Sequence, residues 1–214
     1  MTRLALSVAV VMLLPLNASA AETLWTEVIV RVYDATGAST SARRASLEIA
    51  SSIVSAASVE LIWRHCKEST NKTGAAAIDP GHASHCDLPL APGELAVRIV
   101  RSGTVDEQMR DLPLGDALIN TRTGGGVLAT IYLDRVEWMA AQAGIDPRAL
   151  LGRAIAHELG HLLMATSVHA ATGLMRPLWL QSEIRRRQNT DWMFRPKEIA
   201  AIKERVATRL VRPH

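Results

Sequence analysis

A chain of 214 residues, 48% of them hydrophobic, is long enough to bury the core of one domain. Its formal charge is only +3, and its basic residues are not interleaved with aromatics, which make up 4%, so nucleic acid is excluded as an expected partner. The densest basic cluster, Arg185-Arg186-Arg187, reads as a solvated face or loop, and neither a linker-like run nor an internal repeat divides the chain.

Residues 1–20 carry Arg3, an apolar run from Leu4 to Leu16 and the small-residue pattern Ala18-Ser19-Ala20, which is the plan of a secretory signal peptide. The run falls short of the roughly 20 residues that a spanning helix needs, and no later stretch qualifies. The expectation is cleavage after Ala20, no Cys there to carry a lipid, and one domain over 21–214. That domain is expected to be monomeric, secreted or periplasmic, and not inserted in a membrane.

Glu27 to Tyr33 reads as a central strand ending at Asp34 and Gly37. From Ser41 to Ala57, Leu47, Ala50, Ile53, Val54 and Ala57 recur at helical spacing behind a Ser/Thr-rich start able to cap the first turn. Val59 to Trp63 is a second strand, and strand, helix, strand implies parallel pairing with a right-handed crossover. Residues 65–92, broken by Pro and Gly, read as a long loop. Cys66 and Cys86 are expected to close it as a disulfide, since an exported chain meets an oxidising compartment. The rival reading, a second metal site with His65, His82 and His85, matches no closed zinc spacing.

Leu95 to Val100 is a third strand and Val127 to Leu133 a fourth, with a loose segment holding Leu112 to Leu118 between them. A short helix over Val136 to Ala143 ends at Gly144. Asp146 and Pro147 then supply the cap and first position of the next helix.

That helix, Arg148 to Met164, is apolar almost all round and must be buried on most sides. In its middle stand His157, Glu158 and His161, an H-E-x-x-H pattern. Four residues are just over one helical turn, so both imidazoles share a face that can hold one metal ion. Glu158, about 100° round, is placed to act as general base on a water rather than as a ligand. The bland alternative, in which the three side chains satisfy one another in the core, leaves two histidines competing for few acceptors. A catalytic zinc takes three protein ligands. His169, eight residues beyond His161, and Glu183, 22 residues beyond, are the two candidates for the third. Pro196 opens a last helix with Ile199, Ile202, Val206 and Leu210 on one side.

The run from His157 to Met175 resembles the metzincin metallopeptidases, in which a third His soon follows the motif helix and a tight turn carries a Met below the metal. The order of elements resembles that clan too. Two departures stand out: His169 comes two residues later than the usual spacing, and no glycine occurs from Leu162 to Val168, so the turn between the ligands must be built differently. The resemblance implies an α/β (α+β) metzincin-like domain, with a twisted mixed sheet of about four strands, a buried active-site helix and a C-terminal helix. It implies one zinc ion (Zn2+) on His157, His161 and His169, Glu158 as the catalytic base, and Met175 as a floor. An extended peptide or protein substrate would pair with an edge strand, here Val127, Leu128, Ala129, Thr130, Ile131 and Tyr132, and Tyr132 could assist at the oxyanion. The function implied is a zinc-dependent endopeptidase. An idle zinc module that holds a partner, or a hydrolase of a non-peptide amide, would share the ligands.

Overall fold

A computed structural model describes residues 25–66, 85–103, 112–120, 125–185 and 189–211. The expected signal peptide, His82 with most of its loop, and Arg186 and Arg187 lie outside the described residues. Strand β1 (Thr26–Asp34) leads through α1 (Thr40–Val54) into β2 (Val59–Cys66), which pairs parallel with β1. The Ser/Thr-rich start caps α1 as expected, with the Ser39 hydroxyl accepting the Ala42 N–H. Strand β3 (Leu95–Val100) pairs parallel with β1, and β5 (Gly125–Tyr132) parallel with β3.

Two expectations are corrected here. The segment before β5 is not loose: Gly115–Asn120 forms β4, antiparallel to β5, and among the described residues the sheet has five strands in the order β2-β1-β3-β5-β4. Strand β5 is therefore paired on both sides, and among the described residues the edge belongs to β4. The cause lies in Leu118, which is exposed while its neighbours Ala117 and Ile119 turn toward the core, so the alternation of β4 is blurred. Leu133 also leaves the strand and opens α2 (Leu133–Ala143), which closes at Gly144 with φ 64°.

Val30 and Val32, Leu95, Val97 and Ile99, and Ala129 and Ile131 stand in register on one face of the sheet, all buried. Helices α1 and α3 (Pro147–Met164) pack against each other and contribute Leu47, Ile53, Ile155 and Leu159 to the same core. Burial of each such side chain contributes roughly 1.5–3 kcal/mol. Asp146 caps α3 by accepting the Arg148 N–H, with Pro147 in the first turn. The short helix α4 (Gln181–Arg185) follows, and α5 (Pro196–Val211) packs on α3, with Ile202 and Val206 buried. None of the helices among the described residues is long and apolar enough to cross a membrane.

At the other end of the sheet the Cys66–Cys86 disulfide is formed. Beside it Arg31 and Glu94 form a buried ion pair, which Arg64 joins at 2.9 Å, and Arg31 also donates to the carbonyls of Leu88 and Pro89. Burial works against the Glu94 charge. Hydrogen bonds from the Ala91 N–H and Arg31, with the charges of Arg31 and Arg64, outweigh it and hold the carboxyl below its ordinary value of 4.5. A lowered folded pKa gives stability that is present above the unfolded value and is lost as pH falls through the folded one. Glu94→Gln is expected to cost on the order of 3–5 kcal/mol at neutral pH, because it leaves Arg31 buried and uncompensated. It should also flatten the acid limb of unfolding free energy against pH, read by urea denaturation; an unchanged acid limb would assign that limb to other carboxylates.

Candidate metal centre and its cleft

Helix α3 carries His157, Glu158 and His161 into the interior, at 7%, 6% and 5% exposure. The ring orientations of both histidines are set by main-chain carbonyls. His157 Nδ1 donates to Leu174 O at 2.9 Å and His161 Nδ1 to Thr166 O at 2.7 Å. A carbonyl only accepts, so each Nδ1 carries the proton and each Nε2 presents a lone pair. Burial, more than the neighbouring histidines, holds both rings neutral and pushes the His157 pKa down to about 3.

The turn without glycine is made by Ala165 itself, which takes the left-handed conformation at φ 53° and ends α3. The Thr166 N–H then returns to His161 O at 3.2 Å, and the chain brings His169 back from an exposed loop. His161 Nε2 lies 3.1 Å from His157 Nε2 and 3.2 Å from His169 Nε2, and the three donor atoms lie within 4.8 Å of one another. Two lone pairs cannot hydrogen-bond each other, so His157 and His161 do not satisfy one another in the core. A cation between them removes the conflict. Nitrogens about 2.0–2.1 Å from a tetrahedral zinc lie about 3.3 Å apart, close to the two shorter spacings here. Neutral imidazoles held by second hydrogen bonds to carbonyls are also the ligand form zinc takes. The donor set fits a zinc cofactor.

Beneath the triad, Met175 is buried, and a Cβ at Gly160 would come within 2.7 Å of its Sδ and 2.6 Å of Phe194. Met175 thus lies under the same turn of α3 that carries His157 and His161. The Trp179 ring stands edge-on to His157, 5.5 Å between centroids, and its Nε1 donates to Leu174 O, the acceptor that also orients His157.

Glu158 points beneath β4. A Cβ on Gly115 would lie 2.9 Å from Glu158 Cγ and 2.7 Å from Thr130 O, so the edge strand comes this close only because residue 115 has no side chain. Burial, with the charge of Asp116 second, pushes the Glu158 carboxyl up to about 8. Gly115→Ala is expected to cost about 1–3 kcal/mol by overpacking, read by urea denaturation, while leaving metal content intact. Unchanged stability would show that β4 gives way freely.

A cleft of about 700 Å³ opens over this centre, lined by the triad, Glu158, Trp138 and Met139, the strand segment 112–117 and the wall 176–182. Two sequence expectations about it are corrected. Residues Val127 to Tyr132 do not line the cleft: Ala129 and Ile131 are buried in the sheet, and the Tyr132 hydroxyl donates to Asp116 Oδ1 at 2.7 Å, bracing β5 against β4 instead of standing free at an oxyanion. Glu183 does not join the three clustered donors; its two oxygens accept instead from Arg176 Nη1 and the Leu180 N–H at 2.8 and 3.0 Å. The wall 176–182 and the edge role of 112–117 carried no motif. The apolar Pro177-Leu178-Trp179-Leu180 run after Met175 was the signal available for the wall.

No family model matches the chain, and no curated protein is similar to it by sequence. Among solved structures it is similar to a zinc-dependent peptidase from Methanocorpusculum labreanum, at 14% identity and TM-score 0.52, covering 81% of this chain and 99% of that one. An archaemetzincin from Methanopyrus kandleri is similar at 14% identity and TM-score 0.49, over 91% and 99%. The first likeness is one of fold: a single mixed α/β domain.

Proposed function

We propose that this chain is an exported zinc-dependent endopeptidase of metzincin type. The observation that carries the reading is the convergence of three imidazole Nε2 atoms beside a buried carboxylate that carries no ion pair among the described residues, under the edge of a sheet. His157, His161 and His169 would hold the metal, with the Leu174 and Thr166 carbonyls fixing two of the rings. When bound, zinc supplies Lewis acidity toward water and the scissile carbonyl. Glu158, whose raised pKa a bound cation would bring down, would take a proton from the attacking water and return it to the leaving amine. Its place beneath Gly115 supports a proton exchange directly below the strand edge.

Strand β4 has no second neighbour among the described residues, and an extended peptide adding to it would lie across the cleft, held by main-chain hydrogen bonds. This moves the substrate strand from β5 to β4. The length of edge from 115 to 120 favours cleavage within a chain. Export is supported by the leader-like residues 1–20 and by the disulfide, and a start at Ala21 is the expected N-terminus of the isolated protein. The test is digestion of casein or a mixed-peptide library by zinc-loaded protein, with products read by mass spectrometry. Internal cuts suppressed by chelator are expected; no cleavage, or cleavage indifferent to chelator, would refute the reading.

A further inference from the structure

Among the described residues, the cleft presents one charged side chain to solvent, and it is an acid on the strand edge. Of the acidic and basic groups that line the cleft, Glu158 is buried beneath β4, and Arg176 is 8% exposed and paired with Glu183. Burial lowers the pKa of all three histidines and favours their neutral form. Asp116 is exposed. Its Oδ1 accepts from the Tyr132 hydroxyl at 2.7 Å, while Oδ2 has no hydrogen bond or ion pair among the described residues. The segment that carries it is held by the end of β5 and the start of α2. The Tyr132 N–H donates to Leu114 O at 2.9 Å, Arg135 Nη1 donates to Pro113 O at 2.9 Å, and the Arg135 guanidinium lies 4.0 Å from the centre of the Tyr132 ring. A carboxylate already anchored loses little side-chain freedom on meeting a cation.

Asp116 also stands close to the chemistry. It follows Gly115, the residue that overlies Glu158, and its charge is felt at the Glu158 carboxyl. The exposed rim of the same cleft is otherwise rich in apolar side chains, with Leu112, Leu178 and Leu180 open to solvent. An anchored acid on an apolar rim matches a long cationic side chain, whose carbon stem covers apolar surface while its head stays in water. We infer that Asp116 is a specificity-determining residue that binds the cationic head of a Lys or Arg side chain of the substrate, near the bond to be cut; this rests on the reading of the cleft as a peptide site.

The test is equilibrium binding to the zinc-loaded Glu158→Gln protein, which is expected to hold peptides without cutting them and removes the other acid nearby, read by the fluorescence of Trp138 and Trp179 in the cleft. Peptides blocked at both ends carry one Lys, moved position by position along the sequence, and each is compared with its twin bearing Nε-acetyl-lysine, which keeps the stem and loses the charge. At one or two positions the charged twin is expected to bind about 3- to 10-fold more tightly at low salt, and raising the salt should shrink that ratio. Asp116→Asn in the same background should bring the ratio to about one while the acetylated peptides bind as before, and Asp116→Glu should retain part of the preference. A merely structural Asp116 would weaken both twins alike and leave the ratio unchanged. Ratios near one at every position, a preference that survives Asp116→Asn, or a gain seen only when the N-terminus is left unblocked would overturn the inference and leave the peptidase reading standing. Failure of every peptide to bind would overturn the peptide-site reading itself.

Discussion

Glu158→Gln is expected to lower kcat for peptide hydrolysis by roughly 10²–10⁴-fold while zinc content stays unchanged. The amide keeps the size of the side chain, so β4 can still close over it at Gly115. What it loses is the ability to accept a proton and hand it on. Glu158 is neither among the three clustered donors nor hydrogen-bonded to them, so the metal site should survive. Its position supports the assignment: one residue after His157, buried and lining the cleft. The measurement is kcat and KM on a peptide that the parent protein cleaves, with zinc determined on the same samples. Activity within threefold of the parent would remove Glu158 from the mechanism. A parallel loss of zinc would instead make it part of the metal site.

Chelation is expected to lower the thermal midpoint by about 8–16 °C. A ligand present at about 1,000 times its dissociation constant stabilises the native state by about 4.1 kcal/mol, and each kcal/mol is worth about 2–4 °C in a domain of this size. The structural reason is local. Without a cation, the lone pairs of His157 and His161 face each other at 3.1 Å in a buried site, and His169, on an exposed loop, is left with ring contacts to His157 and His161. Loss of metal should therefore loosen residues 165–172 first and change the emission of Trp179, which stands against His157. Differential scanning calorimetry with chelator, then with zinc restored, reads the shift and its reversal. A midpoint that chelator does not move would mean that the triad holds no metal in the native state.

What the amino-acid pattern made legible follows from how strongly each residue constrains its surroundings. The signals at Asp146-Pro147 and Gly144 are local backbone chemistry and place the start of α3 and the end of α2 closely. The apolar runs of β1, β2 and β3 are buried on at least one face and read as strands. The displaced His169 was legible as a candidate because few side chains can complete a zinc site. The device that brings it back was not, since nothing in Ala165 announces a left-handed residue. Strand β4 was missed for a related reason: it is an edge, Gly115 is there for closeness to Glu158 and not for strand propensity, and Leu118 points outward. That single miss misplaced the sheet edge and, with it, the substrate strand. Arg176 and Glu183 show the same limit, because a pair seven residues apart across a loop has no periodicity to read.

The most direct test of the account is the metal content of the purified protein and of His157→Ala, His161→Ala and His169→Ala, by atomic emission after dialysis against trace zinc. About one zinc ion per chain is expected in the parent, and less than a tenth of that in His157→Ala and His161→Ala. His169→Ala should bind zinc at least 10-fold more weakly. A parent protein that takes up no zinc, or variants of His157 and His161 that retain it, would contradict the account.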